Sequence, residues 1–152
     1  MAQRTEQYPS GMTAARAAAR PDYRAADFGL LWLRVAASLL ILAVHGVPKV
    51  LHFHAQLAVI EDPFHLGRWS SLLFAIFAEA LCPWFVIAGV AARAAAVPLL
   101  VVTLIALAMV HRAWSLEEGQ FAWMLLILYG TVVIAGPGQI RLRGARARRS
   151  QP

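Results

Sequence analysis

Four long apolar runs constrain this chain more than any other feature: Phe28 to Val47, Ser70 to Gly89, Ala94 to Val110, and Phe121 to Ala135 extended by Gly119 and Gly136. Each approaches the roughly 17 to 25 residues that an α-helix needs to cross a bilayer, the fourth by carrying its flanks into the interface. With 152 residues, 60% of them hydrophobic and 14% charged, the chain has too little polar sequence to wrap four such helices as a water-soluble protein. Trp69, Trp114 and Trp123 fall near the ends of the runs, where indole rings favour the headgroup layer. The expected fold class is all-α, an integral membrane four-helix bundle.

The arginines set the expected orientation. Arg4, Arg16, Arg20 and Arg24 precede the first run, Arg93 lies between the second and third, and Arg141, Arg143, Arg146, Arg148 and Arg149 follow the fourth. The other two connections hold only Lys49, Arg68 and Arg112. The positive-inside rule then puts both termini in the cytoplasm and the 48–68 and 111–120 connections outside. The net charge of +6 belongs to these short flanks, where it orients helices and meets anionic lipid, so no nucleic-acid partner is implied. Three parts are expected: a flexible Arg- and Ala-rich cytoplasmic lead (1–27), a four-transmembrane-helix domain (28–138) and a basic cytoplasmic tail (139–152).

Polar residues inside the runs are costly and therefore informative. Asp27, Arg34, Ser38 and His45 share a stripe on the first helix at about 100° per residue, and a charged stripe faces the bundle. In "FAIFAEALCPWF", Glu79 is the sole ionisable group of the second run. Ser71, Ala75, Ala78 and Cys82 flank it, with Phe74, Phe77, Leu81 and Trp84 opposite, which turns Glu79 inward and the bulky side chains to lipid. Pro83 is expected to kink that helix. The expected partner of Arg34 is Glu79, as an interhelical ion pair that clamps the bundle or forms part of a functional site. Cys82 is the only cysteine, so the chain has neither an internal disulfide nor a CxxC pair.

A second polar concentration is expected at the outer ends, where His45, Lys49, His111, Arg112, Glu117 and Glu118 converge on one outward-facing pocket. The first loop adds His52, His54, His65, Glu61 and Asp62. Their spacing is a weak metal signature, and no metal site is assigned.

In order, "LRVAASLLILAVHGVPK", "FAEALCPWFVIAGVAARAAAVPLLVV", "ALAMVHRAW" and "VVIAGPGQIRL" resemble the DoxX family of small four-helix bacterial membrane proteins, over roughly residues 28–142. The family pattern falls on Arg34, His45, Gly46, Lys49, Glu79, Gly89, Arg93, His111, Gly136, Pro137 and Gly138. Pro48 stands where relatives often have a polar residue, and no glycine pair follows Glu79.

The resemblance implies a multi-pass protein of the bacterial plasma membrane. Some relatives are described as membrane subunits of thiosulfate:quinone oxidoreductase, others as partners in oxidoreductase complexes of thiol and oxidant defence. The chain carries no flavin, dinucleotide or haem signature, so it is not expected to be an enzyme alone, and an electron carrier would come from outside. A lipid-resident quinone is the expected cofactor, with His45, Lys49, Glu79 and His111 as its candidate ligands and Arg34, Glu79 and Arg93 as the polar structural core. A partner oxidoreductase is implied. The alternatives are a non-catalytic scaffold and a small-molecule or proton pathway along Arg34, Glu79 and His45.

Overall fold

The computed structural model describes residues 23–142; most of the expected lead (1–27) and tail (139–152) lies outside the described residues. Every regular element in the described region is helical. Helix α1 is α-helical over Tyr23–Ile41, passes through a π-helical turn at Leu42–Gly46 and ends with Val47–Leu51. It is therefore longer than the first apolar run at both ends, and residues 23–27, assigned above to the lead, are already helical. A short helix, α2 (Phe53–Val59), was not expected in the first connection.

Helix α3 comprises Arg68–Ile76, a π-helical turn at Phe77–Leu81 and Cys82–Ala88. Helix α4 comprises Ala92–Ile105 and a π-helical turn at Ala106–Val110, and α5 is Gln120–Ala135. The spans Arg24–Leu51, Arg68–Ala88 and Ala92–Val110 are long and apolar enough to cross a membrane; α5, at 16 residues, is shorter.

Two of the three π-helical turns are followed at once by a proline at the second position of the next helical stretch, Pro48 in α1 and Pro83 in α3. Proline has no N–H, so the i→i−4 ladder loses a donor there. The wider turn absorbs that interruption and shifts the register of the side chains above it. The bend expected at Pro83 thus takes the form of a π-helical turn that contains Glu79.

The helices pack around Ala37 and Ile41 of α1, Cys82 and Val86 of α3, Ala92, Ala96 and Leu99 of α4, and Leu125, Tyr129 and Val132 of α5. Small residues at these contacts let the backbones approach closely. The faces of α3 follow the sequence expectation: Ala75, Ala78, Glu79 and Cys82 are buried, whereas Phe74, Phe77, Leu81 and Trp84 are exposed on the outer surface. The polar stripe of α1 also turns inward, with Arg34 and Ser38 fully buried.

The two ends of the described chain meet at one end of the bundle. Beyond α5 the chain folds back as a strap: Gln139 N–H donates to Asp27 Oδ1 at 2.8 Å and Leu142 N–H to the Ala88 carbonyl at 3.0 Å. Arg34 is tied to this strap, donating from Nη1 to the Pro137 carbonyl at 2.7 Å and from Nη2 to the Ile140 carbonyl. This corrects the expected pairing with Glu79. The Arg34 guanidinium lies against Gly89, the left-handed residue that ends α3, where a Cβ would stand 2.5 Å from Nη1. Glu79 is ten residues before Gly89 in α3, about 15 Å away along the axis, beyond the reach of an arginine stem.

Arg93 belongs to the same end but not to a buried core. It is exposed, donating from Nη2 to the Ile134 carbonyl at 3.1 Å, with its guanidinium against Gly136. The late family-pattern residues Gly136, Pro137 and Gly138 are therefore the turn and strap on which both arginines act.

Candidate functional site

At the opposite end of the bundle, the three π-helical turns surround a cavity of about 730 Å³. Helix α1 contributes Ile41, His45 and Lys49, α3 contributes Ala75 and Glu79, α5 contributes Phe121, Ala122 and Leu125, and His111 stands at the end of α4. Glu79 enters because its helix comes unusually close to α1. Gly46 lies on the backbone of Glu79 and Ala80: a methyl group there would collide with the Glu79 carbonyl and lie 3.0 Å from Ala80 Cα. Only a residue without a side chain permits that approach.

Lys49 is nearly one helical turn beyond Gly46, and its ammonium meets the carboxylate. Lys49 Nζ is 2.5 Å from Glu79 Oε2, with the two side chains 15% and 10% exposed. The contact is an ion pair off the hydrogen-bonding direction, since Oε2 has no aligned donor among the described residues. Glu79 thus has a cationic partner at the floor of the cavity that both residues line.

Two imidazoles flank the pair, each held by an aromatic ring. His45 stacks on Phe121 with ring centroids 5.6 Å apart, and His111 stacks almost parallel on Trp114 at 3.7 Å. Below them, the hydroxyls of Ser38 and Tyr129 are neighbours in the core, fully buried and without an aligned partner. These side chains extend the line of polar groups from the cavity floor into the bundle.

The roof is the connection between α2 and α3. Glu61, Phe64 and Leu66 line the cavity there, and Asp62 secures the loop by accepting from Gly67 N–H at 2.8 Å, Ser71 Oγ at 2.9 Å and Leu66 N–H at 3.1 Å. Desolvation raises the Asp62 carboxyl, but those three donors outweigh it and hold the group below the usual carboxylate range. Arg68 Nη1 donates to the Ala58 carbonyl at 2.8 Å and fastens α2 to the start of α3.

Of the residues expected to converge at this end, His45, Lys49, His111 and Glu118 line the cavity, together with Glu79. Arg112 and Glu117 do not. Arg112 turns back to the Ala108 carbonyl at 3.0 Å. Glu118 accepts from Ser115 N–H at 2.7 Å, which holds its carboxyl below the ordinary range. His52, His54 and His65 lie outside the cavity lining, and no group of three or more potential metal ligands converges among the described residues. Reading the sequence missed the Lys49–Glu79 pair. The signal for it was Lys49 four residues after His45, on the stripe already identified, with Gly46 between them.

Chemically, the site offers an ammonium and two imidazoles able to donate to an acceptor oxygen, a carboxylate able to take up a proton, and apolar walls of ligand-binding size. No curated protein and no solved structure matches the chain. A family model, DoxX, matches residues 29–112, from the start of α1 through His111 at the end of α4. That match covers more than half of the chain and holds all four polar residues of the cavity floor: the chain is a membrane protein of the DoxX family.

Proposed function

We propose that the cavity binds the headgroup of a lipid-borne quinone, and that the chain serves as the membrane subunit of an oxidoreductase system. The observation that carries this reading is the Lys49–Glu79 pair on the floor of a mostly apolar cavity, flanked by His45 and His111. The residues present fit such a group. Lys49, His45 and His111 would hold its carbonyl oxygens, and Ile41, Phe121 and Leu125 offer apolar wall to its ring and tail.

A bound quinone supplies two-electron redox chemistry coupled to proton uptake. The chain's own groups position the headgroup and exchange protons with it: Glu79 is the carboxylate of the cavity floor, and Lys49 balances its charge. With one cysteine, the chain has no dithiol pair of its own to deliver electrons, so a partner protein in the plasma membrane is part of the proposal.

The test is equilibrium binding of short-chain ubiquinone and menaquinone analogues to the full chain in lipid nanodiscs, with protein-free discs as the baseline. Saturable binding at one site should be lost in Glu79→Gln and in the double variant His45→Ala/His111→Ala, each checked for unchanged abundance. Binding that survives both variants would remove the cavity as a quinone site. Co-purification of a partner without any quinone binding would favour the scaffold reading instead.

A further inference from the structure

The arginine-rich end carries a second concavity, of about 510 Å³, between the start of α4 and the strap that follows α5. Its side-chain walls include Arg93, Gln139 and Arg141, and the remainder is small-residue surface such as Gly89, Ala91 and Gly136. No carboxylate lines it among the described residues. Asp27, which reaches this end, accepts Gln139 N–H at 2.8 Å and stays out of the lining.

Both arginines sit on anchored backbone. Arg93 is in the first turn of α4, and its bond to the Ile134 carbonyl uses one of five guanidinium N–H donors. Arg141 lies between Ile140, whose carbonyl accepts from Arg34, and Leu142, whose N–H donates to Ala88. The 14-residue segment Ala92–Ile105 begins in the pocket wall with no side-chain cap on its first N–H groups. Two arginines, uncapped helix-start amides and no lining carboxylate among the described residues together supply the donor chemistry of phosphate recognition.

We propose that this pocket binds a phosphate group, carried by an anionic phospholipid of the adjacent leaflet or free in solution as a phosphate ester. The exposed side chains of Val90, Ile134 and Leu142 provide apolar surface near the pocket for acyl chains in the lipid case. The site is independent of the quinone cavity, which lies at the other end of the bundle.

The experiment titrates phosphatidylglycerol, phosphatidylcholine and inorganic phosphate onto the full chain in a neutral detergent, with bound species counted by native mass spectrometry. Phosphatidylglycerol should bind at least about tenfold more tightly than phosphatidylcholine. Arg93→Gln and Arg141→Gln should each weaken it about fivefold, against less than about twofold for Arg24→Gln, a matched charge loss at the same end. Arg141→Gln keeps the assay decisive if Arg93→Gln disturbs the contact between α4 and α5, because the bonds from Arg34 to the Ile140 carbonyl and from Leu142 N–H to Ala88 do not involve the Arg141 side chain. Displacement of phosphatidylglycerol by millimolar phosphate supports a soluble phosphate ester as the source, and arginine-dependent lipid binding that resists phosphate supports the lipid. Equal affinity for the two lipids, or equal losses in Arg24→Gln and Arg141→Gln, would overturn the site.

Discussion

Replacing Glu79 by leucine removes one half of a buried ion pair and leaves the Lys49 ammonium facing a cavity whose walls are mostly apolar. Breaking a fully buried pair typically costs about 3 to 5 kcal/mol, because the remaining charge loses its partner and cannot regain water. Here the side chains are 15% and 10% exposed, so we expect the lower end, about 3 kcal/mol. Lys49→Met should cost a similar amount. The double variant Lys49→Met/Glu79→Leu leaves neither charge behind and should recover about 2 kcal/mol of the summed losses.

Reversible unfolding in mixed detergent micelles measures all four corners of this cycle. A second cycle, Arg34→Leu with Glu79→Leu, should be additive within about 0.5 kcal/mol, because Arg34 is hydrogen-bonded to the strap carbonyls at the other end of the bundle. Additive losses for Lys49 and Glu79, with coupling between Arg34 and Glu79, would refute the pairing described here.

Three further outcomes follow from local geometry. Gly46→Ala should destabilise the fold by about 1 to 3 kcal/mol, because the new methyl meets rigid Glu79 backbone, whereas Gly130→Ala in α5, with nothing within 4 Å, should be neutral or stabilising in the same unfolding assay. The Asp62 carboxyl is held below its ordinary range, so its contribution is complete above the ordinary carboxylate pKa and is lost as pH falls through the depressed one; hydrogen-exchange protection across residues 62–67, normalised to the intrinsic rate at each pH, should fall in acid, and Asp62→Asn should flatten that dependence. Single cysteines at Ala55 and Ser150 in a Cys82→Ser background should differ toward an impermeant thiol reagent in intact cells, with Ala55Cys labelled and Ser150Cys protected; the reverse pattern would invert the topology inferred from the arginines.

The fold was legible because lipid imposes a strong pattern: helix length, the small and bulky faces of α3 and the inward stripe of α1 all follow from which side chains can face hydrocarbon. Pairing across helices was less legible. Placing Arg34 within reach of Glu79 took α1 to enter the membrane at Phe28, the start of its apolar run. In fact α1 is helical from Tyr23 through Leu51, which carries Lys49 rather than Arg34 to the height of Glu79. The register depends on where Gly46 lets two backbones touch, a tertiary contact that no single helix encodes. The prolines at positions 48 and 83 mark the disturbed turns in the sequence, but whether such a turn kinks or widens to a π-helix depends on the packing around it.

The strap offers the sharpest separation of the roles played by the family-pattern residues. The family match ends at residue 112, yet the partners of Arg34 come from Pro137 and Ile140, so a buried cation in α1 is satisfied only after α5 has docked and the chain has turned back. Truncation after Gly136 should therefore act largely through Arg34. It removes two charge-assisted hydrogen bonds, each worth about 1.5 to 3 kcal/mol, along with the Gln139–Asp27 and Leu142–Ala88 bonds at about 1 kcal/mol each. Snorkelling of the arginine toward nearby headgroups recovers part of this, which leaves an expected loss of about 4 kcal/mol. In an Arg34→Met background the same truncation strands no cation and should cost only about 2 kcal/mol. Truncation after Leu142 keeps every one of these bonds and should not show this dependence on Arg34. An equal loss from the Gly136 truncation in both backgrounds would mean that the strap stabilises the bundle without Arg34, and the arginine would then have to be explained by its contact with Gly89 alone.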